Sequence, residues 1–149
     1  GLKLLADLCE EVVIPKAVAD ELLSYKEDQL SWDLFFASSS KIKVLKDAPD
    51  FLPEITNWDL GRGESEVLSF ARTHAGFEAI LDDLEGRKCA NTFGIPLRGT
   101  VGIIILAKKN NLITKAKPLI ESLIDSGLRF NIDWIRNALN LVGEDIEIK

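Results

Sequence analysis

Short apolar segments alternate with helical segments along the chain, and this alternation limits the possible folds more than any other feature. The clearest apolar segments are Val12–Ile14 and Phe77–Leu81. Strands that alternate with helices predict a mainly parallel sheet with helices on both faces, an α/β fold. Ligands of such sheets bind at the carboxyl ends of the strands. That rule points to Asp82 and Asp83, which directly follow the second segment.

Periodicity and turn residues predict the limits of the remaining elements. Helical spacing of apolar residues, with starts and stops at proline and glycine, predicts helices at 1–9, 15–25, 27–37, 64–74, 84–92, 99–109, 115–126 and 132–141. Further short strands are expected at 41–45 and 95–97, and the proline-containing segment 47–59 is expected to be a loop with one helical turn. A length of 149 residues favours a single domain over residues 1–149.

Charge and cysteine usage narrow the class of protein. The formal net charge of −6 does not suit a protein that coats nucleic acid, although it is compatible with acids gathered in a metal site or with solubility alone. No apolar run approaches the roughly 18 residues that cross a membrane. Cys9 and Cys89 have no metal-ligand spacing, so both are expected to be buried thiols in a reducing, cytoplasmic compartment.

The acidic residues that could carry chemistry are Glu21, Glu64, Glu66, Asp82 and Asp83. Hard cations such as Mg²⁺ take oxygen ligands, often one or two carboxylates completed by waters. Two such ions about 4 Å apart can orient a water and stabilise the leaving oxygen of a phosphodiester. Each acid also has an ordinary explanation. Glu64 would favour the dipole of a helix start, the aspartates would cap the next helix, and Glu21 and Glu66 would face solvent.

Four stretches of the sequence together resemble one known family. They are EEVVIPKAVADEL from Glu10, LGRGESEVLSFA from Leu60, ILDDLEGRKCANTFGIPLRGTVGIIILAKKNNLI from Ile80, and the helical end through Leu128. The pattern resembles PIN domains, in particular the toxin-like (VapC-related) prokaryotic branch of predicted nucleic-acid-binding proteins. The likeness covers nearly the whole chain and implies a three-layer fold, with a mainly parallel central sheet flanked by helices.

The resemblance implies a role for individual residues. Glu21, Glu64, Asp82 and, less directly, Asp83 would hold one or two Mg²⁺ or Mn²⁺ ions and serve as the catalytic acids. Arg87 would pair with the aspartates or meet a phosphate, and Thr100 would cap the following helix or touch a phosphate. Outside the resemblance, Lys108 and Lys109 belong to the one basic cluster, which could meet a nucleic-acid backbone or be a solvated helix end.

The start of the sequence departs from the family pattern. PIN domains of this branch begin with a short apolar strand that ends in an aspartate, whereas Gly1 already lies in what resembles the first helix. We therefore expect a fold without its N-terminal strand and its aspartate, and exposed strand edges that favour a homodimer.

Three functions remain open from the sequence. The first is an endoribonuclease that acts on RNA, with an antitoxin-type protein as partner. The second is a catalytically inactive or truncated PIN-fold module that acts through protein association. The third is a regulatory ligand-binding domain, because doubly wound folds serve many functions.

Overall fold

A computed structural model describes residues 2–24, 34 and 36–144, apart from the side chain of Leu2. Most of the predicted helix 27–37 lies outside the described residues. The helices are α1 Leu2–Leu8, α2 Lys16–Ser24, α3 Pro53–Thr56, α4 Arg62–Thr73, α5 Leu84–Thr92, α6 Thr100–Lys109, α7 Lys117–Asp125 and α8 Ile132–Asn140. The strands are β1 Val12–Ile14, β2 Ile42–Val44, β3 Ala79–Ile80 and β4 Leu97–Arg98.

Local capping and stop signals explain why the helices begin and end close to their predicted limits. Asp83 caps α5 by accepting a hydrogen bond from the Gly86 amide at 2.8 Å. Gly76 and Gly94 follow α4 and α5 with φ of 89° and 64°, a region that favours glycine. The predicted helix 84–92 is therefore confirmed at both ends.

The strands form two parallel pairs. Val12–Ile14 pairs with Ile42–Val44, and Ala79–Ile80 pairs with Leu97–Arg98. The mixed α/β class and the parallel direction are confirmed. Because each sheet of the described residues has two strands, a single central sheet between two helical layers stays a prediction.

The chain divides into two compact units. The first, called the 9–98 unit, is Cys9–Arg98, and the second, called the 99–149 unit, is Gly1–Leu8 with Gly99–Lys149. In the 9–98 unit α4 packs against α2, β3 and α5, and its core consists of Ile55, Leu68, Ala71, Ala79, Leu81, Cys89, Ala90 and Ile95.

The 99–149 unit is built around the apolar helix α6, which packs against α1, α7 and α8. Its core consists of Val101, Ile104, Ile105, Ala116, Ile120, Ile135, Ala138 and Leu139. Glu144 accepts hydrogen bonds from the Ala116 and Lys117 amides at 2.7 and 2.8 Å, at the start of α7. Within residues 2–24, 34 and 36–144, no helix is both long and apolar enough to span a membrane.

Candidate functional site

The first turn of α4 carries one of the predicted acids, Glu64. The turn begins at Gly61, whose lack of a side chain leaves room for the Glu64 carboxylate to fold back against it. Glu64 is half-buried, and within the described residues its carboxylate has no hydrogen-bond or ion-pair partner. A negative charge here is favoured by the positive end of the helix dipole.

A second predicted acid, Glu21, comes to the same turn from α2. A Cβ on Gly63 would lie 3.2 Å from Oε1 of Glu21 and 3.5 Å from Cγ2 of Val18, so the Glu21 carboxylate lies close against this glycine. Glu21 is exposed, and its carboxylate too is without a partner in the part of the chain that the structure describes. Gly61 and Gly63 therefore each have an unpaired carboxylate close by.

Glu66 was expected to face solvent, and that prediction is wrong, because its side chain is fully buried. Its Oε2 accepts a hydrogen bond from the Ala17 amide at 2.7 Å, and its Oε1 lies 3.3 Å from Nε of Arg62. The sequence does contain a signal for this position. Glu66 follows Gly63 by three residues, so the two share one face of α4, and that face packs against α2.

The strand-end aspartates have different surroundings. Asp83 is exposed, and its Oδ2 caps α5, which is the ordinary explanation that the sequence left open. Asp82 is half-buried and follows Leu81, whose amide donates to the Arg98 carbonyl at 3.1 Å. Helix α4 packs against β3, so Glu64 and Asp82 lie on two elements that contact each other.

The acids do not converge fully. Among the described residues there is no group of three or more His, Cys, Asp or Glu side chains that could hold a metal ion. The structure thus brings together Glu21 and Glu64 around one turn, but it does not gather Asp82 and Asp83 with them into one ligand set. Two carboxylates still fit a hydrated Mg²⁺ or Mn²⁺ ion, since Mg²⁺ is often held by one or two carboxylates and several waters.

The predicted nucleic-acid contacts are divided between the two units. Arg87 lies on α5 of the 9–98 unit, is half-buried, and has no side-chain partner within the described residues. In the 99–149 unit, Nζ of Lys108 donates to the Thr114 carbonyl at 2.6 Å, and Lys109 is exposed. Thr100 is not the cap of α6, because the N-cap is Gly99 and Thr100 is the first helical residue.

Comparison with known families gives one match. A family model described as a PIN domain matches residues 1–144. The matched range includes all of the predicted acids and all of the predicted nucleic-acid contacts. Among curated proteins and solved structures there is no significant match.

Proposed function

The chain belongs to the PIN-domain family, which has a nuclease-type fold, and from that membership we propose that it is a metal-dependent endoribonuclease. The observation that supports this most directly is the pair of unpaired carboxylates, Glu21 and Glu64, which lie against Gly63 and Gly61. Acids without partners raise the local negative potential and leave oxygen atoms available for a cation.

The proposed mechanism assigns a task to each residue. Glu21 and Glu64 would hold Mg²⁺ or Mn²⁺, and Asp82 at the end of β3 would bind one of its waters or complete the ligand set. The cation supplies neutralisation of the phosphate charge and orientation of the attacking water. Arg87 would donate hydrogen bonds to a phosphate oxygen of the RNA, since a guanidinium has several donors and Arg87 uses none within the described residues.

Calorimetric titration with Mn²⁺ tests the metal site. We expect binding by the wild-type chain and a large loss in the double variant Glu64→Ala with Asp82→Ala. A matched control is Glu54→Ala with Asp133→Ala, because these exposed acids lie in the first turns of α3 and α8 and remove the same charge. Negligible binding by wild-type and site variant alike would exclude a working metal site.

Cleavage assays test the reaction itself. Wild-type protein with Mn²⁺ should cut single-stranded RNA, EDTA should stop the reaction, and the Glu64→Ala, Asp82→Ala variant should be inactive while the control pair keeps its activity. RNA that stays intact with the metal-loaded wild-type protein would contradict the proposal.

A catalytically inactive PIN module that acts through protein association is the second candidate. Its support is that the described residues contain no three-ligand acidic cluster. This alternative predicts no Mn²⁺ binding, together with a homodimer or a partner complex that the Glu64→Ala, Asp82→Ala substitutions leave unchanged. Mn²⁺ calorimetry on the same variants distinguishes the two candidates, and light scattering shows whether the assembly survives the substitutions.

The toxin-like role and the three-layer architecture extend the main proposal. We propose one central parallel sheet flanked by helices, and an antitoxin-type protein as the partner that blocks the acidic site. If this is right, expression in bacteria should arrest growth, and Glu64→Ala should relieve the arrest at equal protein level. Normal growth with the soluble wild-type chain would count against a toxin.

A further inference from the structure

We infer that Glu66 is the positioning residue of the candidate site, because its buried carboxylate fixes α2, which carries Glu21, against α4, which carries Glu64. This inference rests on the proposed metal-dependent function. Glu66 itself would not be a ligand, since both of its oxygens already have partners within the protein.

The contact with α2 takes the place of a helix cap. Ala17 is the second residue of α2, so its amide is one of the four that have no acceptor within their own helix. Pro15, which precedes α2, has no polar side chain that could accept it. Glu66 instead accepts this amide from the neighbouring helix, at 2.7 Å and in the protein interior. A buried carboxylate without partners would be strongly unfavourable, so this contact holds the start of α2 against α4.

The same contact determines where Glu21 lies. Ala17 and Glu21 are four residues apart on α2, and Glu66 and Gly63 are three residues apart on α4, so each pair shares a helix face. Ala17 meets Glu66 and Glu21 meets Gly63, which places two contacts one turn apart along antiparallel helices. If the first contact shifts, the Glu21 carboxylate moves relative to Glu64.

Glu66 also pairs with the positively charged side chain of Arg62, which could otherwise pair with one of the two candidate ligands. Arg62 lies between Gly61 and Gly63 in the sequence, and the ion pair that it makes in the described part of the chain is with Glu66, at 3.3 Å. An ion pair between Arg62 and either candidate ligand would compete with a bound metal ion. Glu66 therefore orients α2 and also leaves the two ligands available.

The test compares two contacts of the same kind, one at the site and one far from it in the sequence. Glu66→Ala removes the acceptor at the start of α2, whereas Glu144→Ala removes the carboxylate that accepts the Ala116 and Lys117 amides at the start of α7. Glu66→Gln keeps an oxygen that can accept the Ala17 amide. For each variant, Mn²⁺ affinity is measured by calorimetry on folded protein, the urea midpoint by circular dichroism, and amide exchange of α2 by NMR.

We expect both alanine variants to lose stability and only Glu66→Ala to lose Mn²⁺ affinity, by about tenfold or more. Hydrogen exchange of the first α2 amides should accelerate in Glu66→Ala. The Mn²⁺ affinity of Glu66→Gln should stay within about threefold of the wild-type value. Wild-type binding with an unchanged affinity in folded Glu66→Ala would overturn the inference and leave the proposed function standing. A wild-type chain that binds no Mn²⁺ would overturn both.

Discussion

Gly63 lies against the Glu21 carboxylate, and a Cβ at this position would be 3.2 Å from Oε1 of Glu21. We expect Gly63→Ala to weaken metal binding without lowering the free energy of unfolding. Alanine is a better helix former than glycine, so the free energy of unfolding should stay level or rise by up to about 1 kcal/mol. The added methyl should displace Glu21 and weaken Mn²⁺ binding by roughly threefold to tenfold. Unchanged Mn²⁺ affinity in calorimetry would show that Glu21 is not a ligand.

Arg62 compensates the buried charge of Glu66, although its own side chain is 64% exposed. Arg62→Gln should lower the free energy of unfolding by about 1–2 kcal/mol, because a buried carboxylate loses one of its two partners. Arg136→Gln is the control, since its ion pair with Asp133 is exposed on both sides and should contribute little. Equal urea midpoints for the two variants would contradict this explanation.

Features that depend on neighbouring residues could be predicted from the sequence. Helix α5 was predicted at both ends because its cap, Asp83, and its stop, Gly94, are local. The strand predicted at Phe77–Leu81 is longer than the observed Ala79–Ile80, because a strand extends only as far as its pairing with β4. Apolar character marks the buried segment but does not show where the pairing ends.

The candidate site was less accessible to sequence reasoning, because its contacts join distant parts of the chain. Glu66 was missed since its partner, Ala17, is 49 residues away, and local periodicity does not contain that pairing. Asp83 was ambiguous for the opposite reason. An acid before a helix fits both a cap and a metal ligand, and the hydrogen bond to Gly86 establishes only the cap.

Ser69 places a fully buried hydroxyl in α4, and this oxygen has no hydrogen-bond partner among the described residues. Ser69→Ala should raise the free energy of unfolding by about 0.5–1 kcal/mol, because an unsatisfied polar group is removed and helix propensity improves. Ser122→Ala in α7 is the comparison, since it gives the same gain in helix propensity but removes an exposed hydroxyl that has a partner, the Pro118 carbonyl. A lower urea midpoint for Ser69→Ala would indicate that the hydroxyl has a partner in solution.

Burial raises the pKa of the Cys89 thiol above its ordinary value of 9.0. Above pH 9 the unfolded chain therefore releases this proton while the folded chain keeps it, so the free energy of unfolding should fall as pH rises. Comparing urea unfolding of wild-type and Cys89→Ala protein between pH 8 and pH 10.5 isolates this effect from lysine titration. The difference between the two should be constant below pH 9 and shrink above it, and parallel curves would contradict the assignment.

Arg87 combines partial burial with a guanidinium that uses none of its donors within the described residues. If Arg87 contacts an RNA phosphate, Arg87→Gln should weaken binding of single-stranded RNA by about tenfold, because one charge-assisted hydrogen bond is lost. The slope of log affinity against log salt should become shallower by about 0.7, the value for one phosphate contact on a single strand. Mn²⁺ affinity should not change, which separates a phosphate contact from damage to the acids. Arg136→Gln removes the same charge from α8 and should leave the slope as it is. If both variants change the slope equally, the change reflects the protein's net charge, and Arg87 does not contact an RNA phosphate.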